Sequence, residues 1–335
     1  MTTTFIGTTF PISYQWYADE VGLINKIRDQ IDSKYPNSKN LFINTTWFGP
    51  QFNNGEYDKF VKVVNTQQFD NLFLLAAADP VFLNRDQIAE IITQSGADNI
   101  FLMGHFDSEY YFNFHSTVLP KYFKNYKDDD VLLKNPQYVF LNYNRKPRDH
   151  RTELVDKLIS NNLDRYGVIT LGNKITLGET VDDYAKEGNW GMPDSYGIPH
   201  DIHSLGNPTL WQNHFLTVVS ETEFWPWDNM FISEKTWKPV LGLRPFLLNG
   251  QTKIYEYLRS QGFKTFTDYF PGIELENVKE FEVHDSIIQA IRYLASLDKN
   301  ELMAMYNNML PDLRHNRDRF FEFSKEQRYK IGHLL

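Results

Sequence analysis

The sequence predicts two α/β domains, each built on a mainly parallel sheet. Three observations predict this. The 335 residues exceed what one ordinary core holds and suit two domains of about 100–200 residues each. Short apolar runs alternate with amphipathic stretches along the chain. A polar segment, residues 121–135 (KYFKNYKDDDVLLKN), separates an earlier strand–helix series from a later one.

In the first series, residues 39–44 (KNLFIN), 71–77 (NLFLLAA) and 99–104 (NIFLMG) read as buried strands. Helical stretches at 20–33, 56–64 and 85–95 lie between them, the last capped by Asn84 or Asp86. The second series opens with a strand at 138–142 (YVFLN) and a helix at 148–160. A strand at 214–220 (HFLTVVS), a helix at 233–241 and a strand at 245–249 (PFLLN) follow. Then come a helix at 252–261 closed by Gly262 and another at 286–297. Residues 177–208 hold five Gly and three Pro and read as a long loop. The tail from 300 to 335 is helical, with a break expected at Pro311. The resulting division is a first domain at 1–125, a second at 136–318 and a final helix at 319–335.

Composition narrows the function classes. Hydrophobic residues make up 41% and charged residues 23%, the balance of a folded globular chain. No apolar run reaches the length of a membrane span, and the first residues lack the pattern of a secretory signal, so no membrane span is expected. With no cysteine there is neither a disulfide framework nor a thiolate metal site, which fits a cytoplasmic location. The net charge of −9 argues against wholesale binding to nucleic-acid backbones. Aromatics at 16%, seven Trp among them, mostly fill cores, and a surplus near a cleft suits stacking on sugar rings or bases.

Two segments carry chemistry. In residues 231–246 (FISEKTWKPVLGLRPF), Ser233 opens a helix with Glu234 and Lys235 in its first turn. Unpaired backbone N–H groups and a partial positive charge make such a turn a seat for phosphate. Lys235 adds a mobile cation there, and Glu234 is placed to accept hydrogen bonds from ribose hydroxyls. Residues 140–151 (FLNYNRKPRDHR) leave a strand, turn through a basic loop and enter a helix, with four cations in the last seven residues. Arg145 can grip phosphate oxygens through two donors, backed by Arg148 or Arg151. Glu221, beyond the strand at 214–220, is a candidate contact for ribose or base, while Glu223 reads equally as a surface residue. Trp225 and Trp227 follow in a loop as packing residues.

The 231–246 string resembles the nucleotide-binding signature of fucosyltransferase-type glycosyltransferases, and the 140–151 string is similar to one in glycosyltransferases encoded by tailed bacteriophages. The resemblance covers roughly residues 138–266. It implies a GT-B-like architecture, two Rossmann-like domains facing a cleft, with the C-terminal helix crossing back to the first domain. It also implies a UDP- or GDP-linked sugar donor as co-substrate, no further cofactor, and transfer to an acceptor hydroxyl with inversion, as in hexosyl- or pentosyltransferases. The acceptor is a glycan or, in a phage variant working in host cytoplasm, a hydroxylated DNA base. A non-catalytic nucleotide or carbohydrate binder is the other class. Candidates for the base that deprotonates the acceptor lie beyond the first-domain strands: Asp79, His105 and Asp107, with Asp19 and Glu20 as weaker choices.

No metal is expected. Asp128-Asp129-Asp130 superficially matches the Asp-x-Asp motif of metal-dependent sugar transferases but lies in a charged stretch and reads as a solvated run. His200 and His203 alone are too few ligands. Neither a P-loop nor a Gly-x-Gly-x-x-Gly fingerprint is present. The oligomeric state is not legible.

Overall fold

The computed structural model describes residues 3–7, 15–45, 56–76, 85–104, 111–123, 126–172, 175–177, 204–224 and 230–335. The chain divides into two compact units, Met1–Val118 with Lys325–Leu335, and Leu119–Ser324.

In the first unit β1 (Thr4–Ile6), α1 (Gln15–Lys34), β2 (Asn40–Asn44), α2 (Glu56–Thr66), β3 (Asn71–Leu75), α3 (Arg85–Ser95) and β4 (Asn99–Met103) alternate, and α4 (Phe114–Val118) follows. The four strands pair in parallel in the order β1-β2-β3-β4. Alternation along each strand fills both faces of the sheet. Leu41, Ile43, Leu72 and Leu74 pack with Phe60 of α2 and Ile91 of α3. On the opposite face the Phe73 and Phe101 rings stack 4.6 Å apart, and Tyr35, just beyond α1, lies 5.7 Å from each. The register also aligns Asn40, Asn71 and Asn99. Their amides form a ladder, Asn71 donating to Asn40 at 2.8 Å and Asn99 to Asn71 at 3.0 Å.

The second unit contains α5 (Pro120–Phe123), α6 (Asp128–Val131), β5 (Tyr138–Asn144), α7 (Asp149–Ser160), β6 (Gly167–Leu171), β7 (Ile175–Leu177) and α8 (Pro208–Asn213). β8 (His214–Ser220), α9 (Glu234–Leu241), β9 (Phe246–Asn249), α10 (Lys253–Ser260), α11 (Val283–Ala295) and α12 (Lys299–Gly332), whose residues from Lys325 on belong to the first unit, complete it. The sheet order is β7-β6-β5-β8-β9, parallel except for the antiparallel edge strand β7. Residues 121–135 are built into this unit. Tyr126 accepts a hydrogen bond from Leu205 N–H at 3.1 Å, Gln212 donates to the Asp129 carbonyl at 3.0 Å, and Val131 and Leu133 are buried. Most of the expected 177–208 loop lies outside the described residues. Its end is ordered, with Asn207 capping α8.

The expected break at Pro311 does not occur, because α12 runs through it. Pro311 and Asn307, whose carbonyl loses its helical donor there, both lie on the exposed face, where water can replace the lost bond. The opposite face carries a buried stripe, Leu302, Tyr306, Met309, Leu313, Asn316, Phe320, Phe323 and Gln327, at alternating spacings of four and three. Gly262 closes α10 in the left-handed region at φ 85°, as expected of a residue just past a helix end. His315 and Arg319 of α12 donate to the Gly262 and Gln261 carbonyls at 2.9 and 2.6 Å.

Two anchors fix α9. The Trp237 ring is fully buried, 5.3–5.4 Å from Phe263, Phe320 and Phe323. Past the helix end, the buried Arg244 guanidinium donates to the carbonyls of Leu243 at 2.7 Å and His214 at 2.8 Å and to the Tyr306 hydroxyl at 3.1 Å. A cation suits a helix C-terminus, and these bonds hold Leu243 at φ 52°, a region costly for a residue with a Cβ. Burial pushes the Arg244 pKa down to about 10, leaving it charged at neutral pH.

Candidate functional site

Both chemistry-bearing segments end at the same edge of the second sheet. β5 delivers Arg145, Lys146 and Arg148 beyond Asn144, and its neighbour β8 delivers Glu221, Thr222 and Glu223 beyond Ser220. From β5 the chain moves to β6 on one side, and later returns through β8 on the other. The strand order therefore reverses between β5 and β8, and open α/β sheets leave their ligand crevice outside the carboxyl ends at such a point.

The Glu221 carboxylate organises this edge. It is 0% exposed and accepts from the Ser233 hydroxyl at 2.6 Å, the Thr236 hydroxyl at 2.6 Å, Ser233 N–H at 3.1 Å and Thr222 N–H at 3.0 Å. The start of α9 is thus pinned to the end of β8 by a buried anion. This corrects two expectations. Glu221 points inward, away from any ribose or base, because its oxygens are taken up by α9. The first turn of α9 is not a bare phosphate seat, because Glu221 already occupies its Ser233 end. Ser233 itself is buried, receiving Lys235 N–H at 3.3 Å while donating to Glu221.

Arg151 is inward as well. It is 4% exposed, and it donates to the carbonyls of Lys146 at 3.0 Å, Ser220 at 3.3 Å and Glu221 at 2.9 Å. These bonds tie the basic loop after β5 to the end of β8, a positioning role in place of the expected grip on phosphate. Burial, then the neighbouring Arg148, pushes its pKa down to about 10, opposed by Glu221, Glu234 and Glu223.

Arg145, Arg148 and Lys235 remain as the groups at the rim, whereas Glu234 is only 5% exposed and lies beneath Lys235. Arg145 is half-buried. The Arg148 side chain is 38% exposed and donates to the Thr222 carbonyl at 2.9 Å. Lys235 is 27% exposed, with its ammonium 2.9 Å from Glu234 Oε1 and 3.2 Å from both the Thr222 and Ser233 hydroxyls. A cation held by one carboxylate and two hydroxyls near a helix start can exchange the carboxylate for an arriving phosphate at modest cost.

Beneath the rim lies a buried polar layer to which the sequence reading assigned no role. Asn142 donates to the Val218 carbonyl at 2.8 Å and to the Ser220 hydroxyl at 3.2 Å, and Asn249 donates to Ser220 at 3.1 Å. His150 donates from Nε2 to the Glu221 carbonyl at 3.0 Å, and His284 from Nε2 to Asn249 Oδ1 at 3.0 Å. Both imidazoles lie against Phe224, with ring centroids 5.1 and 5.2 Å away. Burial, then Arg151, pushes the His150 pKa down to about 4; burial, then Lys157, does the same for His284. The available signal was a polar residue ending each of three apolar strands: Asn142 and Asn144, Ser220, and Asn249.

Asp79, His105 and Asp107 lie outside the described residues, as do Trp225, Trp227, His200 and His203. So does the side chain of Asp19, whereas Glu20 is buried and accepts from Asn44 at 3.1 Å. Asp128 pairs with Arg317 at 2.6 Å, and Asp130 accepts from Lys127 N–H at 2.9 Å, so this run serves a helix start and an ion pair. Among the described residues, no group of three or more His, Asp or Glu side chains is arranged to hold a metal ion, and no helix is long and apolar enough to cross a membrane. Comparison of the chain with protein-family models, curated proteins and solved structures finds no match.

Proposed function

We propose that the chain is a glycosyltransferase, moving a sugar from a UDP- or GDP-linked donor to an acceptor hydroxyl with inversion and without a metal. One observation carries this reading. Two segments singled out for phosphate chemistry, residues 140–151 and 231–246, both reach Thr222, through Arg148 and Lys235, at the edge where the strand order reverses, the place where α/β sheets bind nucleotides.

In this reading the donor diphosphate lies against Arg145, Arg148 and Lys235, and Glu234, released from Lys235, accepts from a ribose hydroxyl. The acceptor oxygen attacks the anomeric carbon as the bond from that carbon to the phosphate oxygen breaks. The electron pair goes to the departing diphosphate, where Arg145 and Lys235 stabilise the growing charge. The acceptor proton passes to a base in the first unit, for which Asp79, His105 and Asp107 are the candidates. The reading carries with it the two-domain GT-B-like arrangement.

The test is turnover of UDP- and GDP-linked sugars with EDTA present, offered to glycan acceptors and to hydroxymethylated DNA. Lys235→Ala and Arg145→Ala are each expected to lower kcat/KM by roughly 100-fold, the scale for losing one preorganised charge partner. Full activity in both variants would remove the donor-site assignment. Binding of donors with no turnover on any acceptor would favour the non-catalytic binder.

A further inference from the structure

A further carboxylate near the rim, Glu223, faces Arg148. Glu221 is committed to Ser233, Thr236 and Thr222, and Glu234 pairs with Lys235. Glu223 instead turns to Arg148, with Oε1 3.5 Å from Nη1 and its side chain 18% exposed. Arg148 opens α7 at the end of the basic loop and is one of the cations that the donor reading assigns to the diphosphate. Glu223 also acts on the buried Arg151, raising its pKa as Glu221 and Glu234 do while Arg148 lowers it. Arg148, Glu221, Glu234 and Glu223 all act on Arg151, so these charges belong to one electrostatic cluster.

We propose that Glu223 is a specificity residue: it occupies Arg148 and adds negative charge at the rim, so that the site favours sugar–nucleotide conjugates over nucleotides with a free terminal phosphate. This rests on the donor-site reading. A conjugate, with both phosphates esterified, carries about two negative charges, the free diphosphate up to about one more and the triphosphate about two more. Each further negative charge meets the Glu223 carboxylate, which already occupies Arg148. Such repulsion against the wrong ligand separates ligands that share every attractive contact.

The experiment compares calorimetric Kd values of a sugar conjugate, its diphosphate and its triphosphate, with EDTA present, for wild type, Glu223→Gln and Glu223→Ala. Both variants are expected to bind the triphosphate roughly five-fold more tightly while the conjugate changes less than about two-fold, the scale of a partly exposed charge pair. The gain should shrink at high ionic strength, as screened repulsion requires. An unchanged melting temperature would show the fold intact. Equal changes for all three ligands, or weaker triphosphate binding, in folded variants that follow a binding wild type would overturn the proposal alone. No binding of any nucleotide to the wild type would remove the donor-site reading, and this proposal with it.

Discussion

Glu221→Ala is expected to lower the stability of the second unit by about 4 kcal/mol and to abolish nucleotide binding in the same variant. The carboxylate receives two hydroxyls and two backbone N–H groups in a place closed to water. Each donor stranded there costs about 1–3 kcal/mol, reduced where water or a shifted side chain reaches it. The damage is directional as well as energetic. Trp237 still anchors the middle of α9, but the first turn, with Lys235, loses its tether to β8. Glu221→Gln keeps one acceptor oxygen and should lose about half as much. Denaturant unfolding followed by tryptophan fluorescence checks both values. A loss under about 1 kcal/mol for the alanine variant would show that α9 does not depend on this carboxylate.

Acid is expected to destabilise the second unit between pH 6.5 and about 4, on the order of 3 kcal/mol through each of His150 and His284. Both rings are neutral in the fold, with pKa values near 4 against an ordinary value of 6.5. Between those values the unfolded chain binds protons that the folded chain refuses, so stability rises with pH. The contribution is fully present above pH 6.5 and is lost as pH falls through the folded value. His150→Gln with His284→Gln should flatten the stability curve in this window, at the cost of lower stability at pH 7. An equally steep curve in the double variant would place the acid response elsewhere, for instance in carboxylates.

The elements legible in the sequence are those with uninterrupted apolar runs. β2, β3, β5, β8 and β9 are such runs, buried on both faces, and no other local structure accommodates them as well. β1 and β7 escape notice at three residues each, and Gly167 and Thr170 dilute the pattern of β6 although all five of its residues are buried. Pro311 misleads because a proline interrupts a helix only where the lost bond cannot be replaced, and exposure is a property of the folded chain.

The site divides along a similar line. Residue types at strand and helix ends located the edge, since cations beyond β5 and a Ser-Glu-Lys start to α9 have little use in a core. Their direction was not legible. Glu221, Glu234, Ser233 and Arg151 turn inward while Lys235 and Arg148 reach the surface, and only the backbone decides between these two sets of similar residues. His150 lay within the basic string, yet nothing local marks it as a neutral donor to Glu221.

The central claim is that the carboxyl edge between β5 and β8 binds a nucleoside diphosphate without a metal. Thermal stabilisation by UDP, GDP, CMP and their common sugar conjugates, with EDTA present, tests it most directly in wild type, Arg145→Ala and Lys235→Ala. At about 100 times its dissociation constant, a ligand adds about 2.7 kcal/mol of stability. The account predicts stabilisation by one diphosphate class in wild type, surviving EDTA and disappearing in both variants. A folded wild type that no nucleotide stabilises, or one stabilised equally in both variants, would contradict it.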